Sequence, residues 1–201
     1  MSGIACIFNL DLEDIEISSS DVKKILKPLS FRGKDKIKYL SKGPVSMMQC
    51  LFIATKEDEQ EELPSVHKDP NIMIISDARL DNRNELIKSL RIKNKAITDS
   101  EIIVQAYKLW SVNFCKHLIG PFAIIIYDFS KKKLMCFRDQ LGLRPLYYCV
   151  EKNKLIVSSS IKSIKDFSSQ SFKINEKRII DNLLFVCGEK KDTFFEEIYK
   201  L

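Results

Sequence analysis

Apolar positions along this chain fall into short blocks with two different periods. Ile4 to Leu10 is an apolar run that predicts a buried strand, and Val45 to Ala54 and Ile72-Met73-Ile74-Ile75 read the same way. Phe122 to Asp128, Lys133 to Arg138, Leu146 to Val150 and Lys154 to Ser158 predict four further strands. They are separated by Ser-Lys-Lys, Gly-Leu-Arg-Pro and Glu-Lys-Asn turns, short enough that the strands should be antiparallel neighbours. Helical spacing appears at Asp21 to Leu26, capped by Ser20 and limited by Pro28. It returns from Asp81 to Leu90, from Thr98 or Asp99 to Trp110, at Ile161 to Ile164 and at Glu176 to Leu184. Phe31 to Asp35 reads as a polar turn around Gly33, and Lys56 to Glu62 as an acidic, solvated loop. Strands, two helices, a run of strands and more helices describe an α+β layered domain rather than a doubly wound parallel sheet.

Composition narrows the class. With 201 residues, 45% hydrophobic and 30% charged, the chain has the make-up of a globular domain, not of a collagen-like or disordered one. No apolar run approaches the ~20 residues of a membrane-spanning helix. The net charge of +6 is modest and spread along the chain. Its densest cluster, Lys131-Lys132-Lys133, reads as a hairpin turn, and no aromatic residues interleave with it, so neither a nucleic-acid nor a membrane partner is expected. Cys6, Cys50, Cys115, Cys136, Cys149 and Cys187 form no C-x-x-C pair, and His67 and His117 are the two histidines. Buried reduced thiols in a cytoplasmic protein are therefore expected rather than a metal site. The Met47-Met48 pair reads as core filler.

Candidate chemistry begins at the N-terminus. Met1 precedes the small Ser2, so removal of Met1 is expected, leaving an α-amine (pKa ~7.7–8.0) beside the Ser2 hydroxyl as a base for its own side chain. Several motifs then occur in order. They are Ser2-Gly3-Ile4-Ala5-Cys6-Ile7-Phe8, Arg32-Gly33-Lys34-Asp35, Asp77-Ala78-Arg79-Leu80-Asp81-Asn82 and Ile97-Thr98-Asp99-Ser100-Glu101. Leu118-Ile119-Gly120-Pro121-Phe122-Ala123 and the block from Phe137-Arg138-Asp139 through Gly142-Leu143-Arg144-Pro145 to Tyr148 complete the series. Together these resemble the glutaminase domain of asparagine synthetases, the class-II glutamine amidotransferases. The resemblance spans nearly the whole chain and implies a four-layer αββα sandwich of the N-terminal-nucleophile hydrolase type.

The same resemblance marks departures at the site. The family's nucleophile is a Cys, and here it is Ser2. The family's oxyanion hole uses an Asn side chain and a Gly amide, matched here by Asp77 and Ala78. An ionised Asp has no donor to offer. The family Arg that grips the substrate carboxylate belongs in the Val45 to Thr55 segment, which has no cation. Asp99 matches the residue that binds the substrate's α-amine, and it is equally readable as a helix cap. Residues 1–201 are thus expected to be a degenerate glutaminase-like domain.

A short stretch of a kind shared by other synthetase-like enzymes, including β-lactam-forming ones, Arg79-Leu80-Asp81-Asn82-Arg83, looks like part of the D-G-R-L-D-N-R segment of the group that includes lasso-peptide cyclases. Those are asparagine-synthetase-like enzymes whose second domain uses ATP to adenylate a carboxylate, which the peptide's own amine then attacks. That implies a C-terminal synthetase domain as partner, with a precursor peptide and its processing protease as further partners. ATP and Mg2+ would belong to that domain alone, because no S-G-G-x-D-S pyrophosphate loop occurs in this chain. No cofactor is expected for this chain itself. Two alternatives stand beside this reading: an active amidohydrolase using Ser2 to supply ammonia for asparagine synthesis, and a peptide- or ligand-binding module. Arg138, Asp139 and Arg144 are expected either to brace their own turn or to meet another domain.

Overall fold

The computed structural model describes residues 1–94, 96–186 and 191–201; Cys187 lies outside the described residues. Two antiparallel sheets form its centre. β1 (Gly3–Asn9), β2 (Lys36–Lys42), β3 (Val45–Leu51), β8 (Tyr147–Glu151), β9 (Lys154–Ser158) and β10 (Tyr199–Lys200) make a six-stranded sheet in the order β10-β8-β9-β1-β3-β2. β4 (Ser65–Lys68), β5 (Asn71–Ala78), β6 (Phe122–Asp128) and β7 (Lys133–Arg138) make a four-stranded sheet in that order.

The continuous apolar runs are strands buried on both faces. In β1, Ile4, Cys6 and Phe8 point between the sheets, where they meet Met73 and Ile75 of β5 and Ala123, Ile125 and Tyr127 of β6. Ala5 and Ile7 point the other way, onto Val22, Ile25 and Leu29 of α1 (Ser19–Leu29). The opposite faces of β5 and β6, with Ile72, Ile74, Ile124 and Ile126, pack on α2 (Arg83–Ser89) and α3 (Asp99–Trp110). α4 (Ile161–Phe167) buries Ile164 against Cys149 and Ile156 on the α1 side. The result is helix, sheet, sheet, helix: the four-layer α+β sandwich that the resemblance implies. α5 (Glu176–Leu183) buries no residue.

Three expectations shift in detail. α1 is capped by Ser18, whose hydroxyl accepts from Asp21 N, and it runs through Pro28 to Leu29. Pro28 removes one ladder bond in the last turn, and burial of Ile25 and Leu29 carries the helix past it. α2 starts two residues later than Asp81. β2 and β4 have no counterpart among the expected strands: both are edge strands, and β2 alternates lysines with half-exposed apolar residues.

Cys6, Cys50 and Cys149 are buried, whereas Cys115 and Cys136 are half-buried. Cys6, Cys50, Cys115, Cys136 and Cys149 are all free. Burial pushes Cys6 well above its ordinary value, Cys50 up to about 11 and Cys136 and Cys149 up to about 12. Met47 and Met48 are fully buried on opposite faces of β3. Among the described residues, no helix is long and apolar enough to cross a membrane, and no group of three or more His, Cys, Asp or Glu is placed to hold a metal ion.

Candidate active site

β1 is a central strand, so its first residue is held at the end of the sheet rather than free. Gly3 makes this approach possible: a Cβ there would lie 2.9 Å from the Leu29 Cβ and carbonyl oxygen. Ser2 is buried just ahead of β1, which pairs with β3 on one side and β9 on the other. Its main-chain N–H donates to Asp77 Oδ1 at 3.0 Å, and its Oγ accepts from the Phe52 N–H at 3.1 Å. These contacts border a cavity of about 90 Å³ shared by Ser2, Gln49, Asp77, Ala78, Asp99 and Arg144. The four residues anticipated from the sequence, Ser2, Asp77, Ala78 and Asp99, are therefore brought together.

Their partners decide what they can do. Asp77 lies at the end of β5 and is 5% exposed. Its Oδ1 faces the Ser2 nitrogen and its Oδ2 faces Arg144 Nε at 3.6 Å, an ion-pair separation too long for a hydrogen bond. Burial pushes the Asp77 carboxyl up from its ordinary value, against the Arg144 guanidinium and the Ser2 N–H, which favour its ionised form. Both oxygens face N–H groups, so geometry makes Asp77 an acceptor on this side of the cavity.

Asp99 is engaged in the same way: Oδ2 accepts from Leu80 N at 3.0 Å and Oδ1 from Arg83 Nη1. The helix cap is Thr98, in a capping box with Glu101, and Asp99 follows it as the first helical residue. Burial raises the Asp99 carboxyl, with the Leu80 N–H and Arg83 pulling it back.

The cavity also gathers residues that local sequence signals did not mark. Glu61 is buried although its segment reads as a solvated acidic loop. Its carboxylate accepts from Ser100 N at 3.0 Å and Ser100 Oγ at 2.5 Å at the N-terminus of α3. Burial raises the Glu61 carboxyl, against those two bonds. Asp58 accepts from Ala54 N and Thr55 N, and Lys36 ties down the Glu59 carbonyl at 2.6 Å, so this segment is strapped over the cavity.

The clamp Arg expected between Val45 and Thr55 is absent from that segment, where the cavity is lined by Gln49, and a guanidinium arrives instead from Arg144. The Arg138–Pro145 block explains how. Asp139 accepts from the Phe122, Leu143 and Arg144 amides. Arg138 donates to the Arg144, Gly142 and Leu201 carbonyls. Gly142 has φ 65, where a Cβ would meet the Arg138 guanidinium at 2.9 Å. The block braces its own turn and aims Arg144 at Asp77.

A glutamine amidotransferase domain model matches residues 1–201. The asparagine synthetase [glutamine-hydrolyzing] 2 of Bacillus subtilis (strain 168) is 32% identical over 192 residues, covering 94% of this chain and 25% of that protein. The putative asparagine synthetase [glutamine-hydrolyzing] 2 of Methanocaldococcus jannaschii is 25% identical, over 86% of this chain and 37% of that protein. This chain thus spans between a quarter and two-fifths of the length of these relatives. Among solved structures, the glutamine phosphoribosylpyrophosphate amidotransferase of B. subtilis superposes with a TM-score of 0.64 at 14% identity, covering 82% of this chain and 43% of that one. At that identity the likeness is one of fold.

Proposed function

Because this chain belongs to the glutamine amidotransferase domain family, we propose that it is a degenerate, non-catalytic glutaminase-like domain of an asparagine-synthetase-like, ATP-dependent amide-forming enzyme of the lasso-peptide cyclase kind. The observation that carries this reading is the Asp77 carboxylate, held 3.0 Å from the Ser2 nitrogen and facing Arg144. Acyl transfer from glutamine passes through a tetrahedral oxyanion. Losing one donor to that oxygen costs about 2.7–4 kcal/mol of barrier, and a carboxylate in its place adds repulsion. In a chain processed to Ser2, the same carboxylate would pair with the α-ammonium and favour its protonated form, which withdraws the base the hydroxyl needs.

A second support is that the charged side chains around the cavity other than Arg144 are engaged by hydrogen bonds within the chain itself. Asp99 holds Leu80 and Arg83, Glu61 holds Ser100, Asp58 holds the 54–55 amides, and Arg79 holds Asp81. A zwitterionic amino acid would have to displace these bonds. The Arg79–Arg83 stretch that resembles lasso-peptide cyclases is the one that fastens Arg83 onto Asp99. An enzyme whose substrate brings its own amine has no use for ammonia, which accounts for such a site on an intact scaffold. ATP and Mg2+ would act in a synthetase domain, and a cytoplasmic setting suits that chemistry.

The rival, a working hydrolase using Ser2, draws on the Phe52 N–H and the Arg144 guanidinium. The Phe52 N–H, however, is spent on the nucleophile's own oxygen. Ammonia release from glutamine separates the two readings, measured on protein whose Met1 status is established by intact mass. Wild type should match Ser2→Ala, and Ser2→Cys alone should stay silent, whereas Ser2→Cys with Asp77→Asn should raise the rate. Ser2-dependent ammonia release by the wild type would overturn the proposal.

A further inference from the structure

Among the described residues, α5 is an amphipathic helix that buries none of its side chains. Ile180 and Leu183 share one face, and Leu184 continues it one turn from Ile180. All three are more than half exposed, as is Val186, and Phe185 is 96% exposed. α1, α2, α3 and α4 each bury apolar residues, whereas α5 buries none. Arg178, Asp181 and Asn182 occupy the opposite face, so the helix has the two-faced pattern of one that lies on a surface, with Glu176 at the N-terminal end of the apolar stripe.

The turn that ends α5 points the same way. Phe185 N donates to Asn182 O and Val186 N to Asp181 O, closing the last turn with Phe185 at φ 55. Left-handed backbone just past a helix is the usual place of glycine, and a bulky side chain there is unfavourable in its own right. Here that position carries an aromatic ring standing in solvent. A strained, exposed Phe beside a bare apolar stripe is a surface shaped for contact.

The lengths of the relatives indicate what covers it. This chain corresponds to 25% of one asparagine synthetase and 37% of another, so in proteins of that plan most of the polypeptide lies outside this fold. We propose that the α5 stripe and the Phe185 turn are the docking surface for an ATP-dependent amide-forming domain of the same polypeptide, an inference that rests on the function proposed above. That domain would seat an apolar groove on Ile180, Leu183, Leu184 and Phe185.

Hydrogen exchange of the full-length protein tests this. In the wild type, peptides covering 176–186 should exchange as slowly as a buried helix. Phe185→Gly suits the local φ and leaves the fold intact, and Leu183→Asp places a charge on the stripe. Each should speed exchange of that segment by about tenfold, with peptides from β1 and β6 unchanged. A wild-type α5 that exchanges like a solvent-exposed helix, or variants that leave it protected, would overturn the proposal. So would a halved molar mass in the variants by light scattering, which would assign the surface to a second copy of the chain. ATP consumption in amide formation, measured on the same samples, keeps the two readings apart. Protection of α5 without such ATP use refutes the function and leaves the surface, whereas ATP use with a freely exchanging α5 does the reverse.

Discussion

Removing the Asp77 carboxylate should expose how tightly the cavity floor is balanced. Asp77→Ala deletes the acceptor of the Ser2 N–H and leaves Arg144, whose side chain is 14% exposed, without its counter-charge. At 3.6 Å and an effective dielectric constant of about 20, the gross attraction of the pair is ~4.6 kcal/mol. Desolvation of both groups offsets most of it, whereas breaking a buried pair from one side costs about 3–5 kcal/mol. Asp77→Ala should therefore destabilise the domain by ~4 kcal/mol and Arg144→Ala by ~3 kcal/mol, while the double variant should lose ~2 kcal/mol less than their sum. Urea denaturation followed by the fluorescence of the single tryptophan, Trp110, reads all four proteins. Asp77→Asn keeps an oxygen for Ser2 and should fall between wild type and Asp77→Ala. Strict additivity of the two single variants would refute an energetic link between Asp77 and Arg144.

Other outcomes follow from single contacts. Gly120 has φ 130, and a Cβ there would lie 2.1 Å from the Arg79 carbonyl oxygen; Gly120→Ala should cost more than ~3 kcal/mol in the same denaturation assay. Thr98→Ala breaks the capping box of α3 and should cost ~1 kcal/mol. Burial works to raise the carboxyls of Asp128 and Asp139, but the bonds from Tyr107 and Lys131 to the first, and from the Arg144, Leu143 and Phe122 amides to the second, outweigh it and hold both below the ordinary value. A depressed folded-state value adds stability above the unfolded value and loses it as pH falls through the folded one. Acid unfolding should therefore steepen below about pH 4, and Asp139→Asn should flatten the curve in that window while lowering stability at pH 7.

Much of the fold was legible because short apolar runs, buried throughout in β6 and half-buried in β7, stand out between polar turns. The runs Phe122–Asp128, Lys133–Arg138 and Lys154–Ser158 have the same bounds in sequence and structure. β2 was not legible: only its Leu40 packs on a core, so Lys36–Lys42 alternates without an apolar majority. Four site residues were readable through motif order, since Ser2, Asp77, Ala78 and Asp99 sit at strand or helix ends fixed by the fold. Arg144, Glu61 and the Phe52 amide were not. They reach the cavity through a braced turn, a strapped segment and a main-chain N–H, none of which leaves a local signature in side-chain type. Arg144 lies 67 positions from Asp77 and meets it only once β5 and the 139–144 turn are in place.

The placement of β1 between β3 and β9 has a kinetic side. One edge of β1 finds its partner about forty residues later, but the other waits for Lys154–Ser158. At a synthesis rate of ~5–20 residues per second, roughly 5–21 s separate the appearance of β3 and β9 at the ribosome. Through that interval a ribbon containing Ile4, Ile7 and Phe8 has an open flank, which makes the nascent chain a substrate for chaperones and sets a slow, non-local closing step for folding.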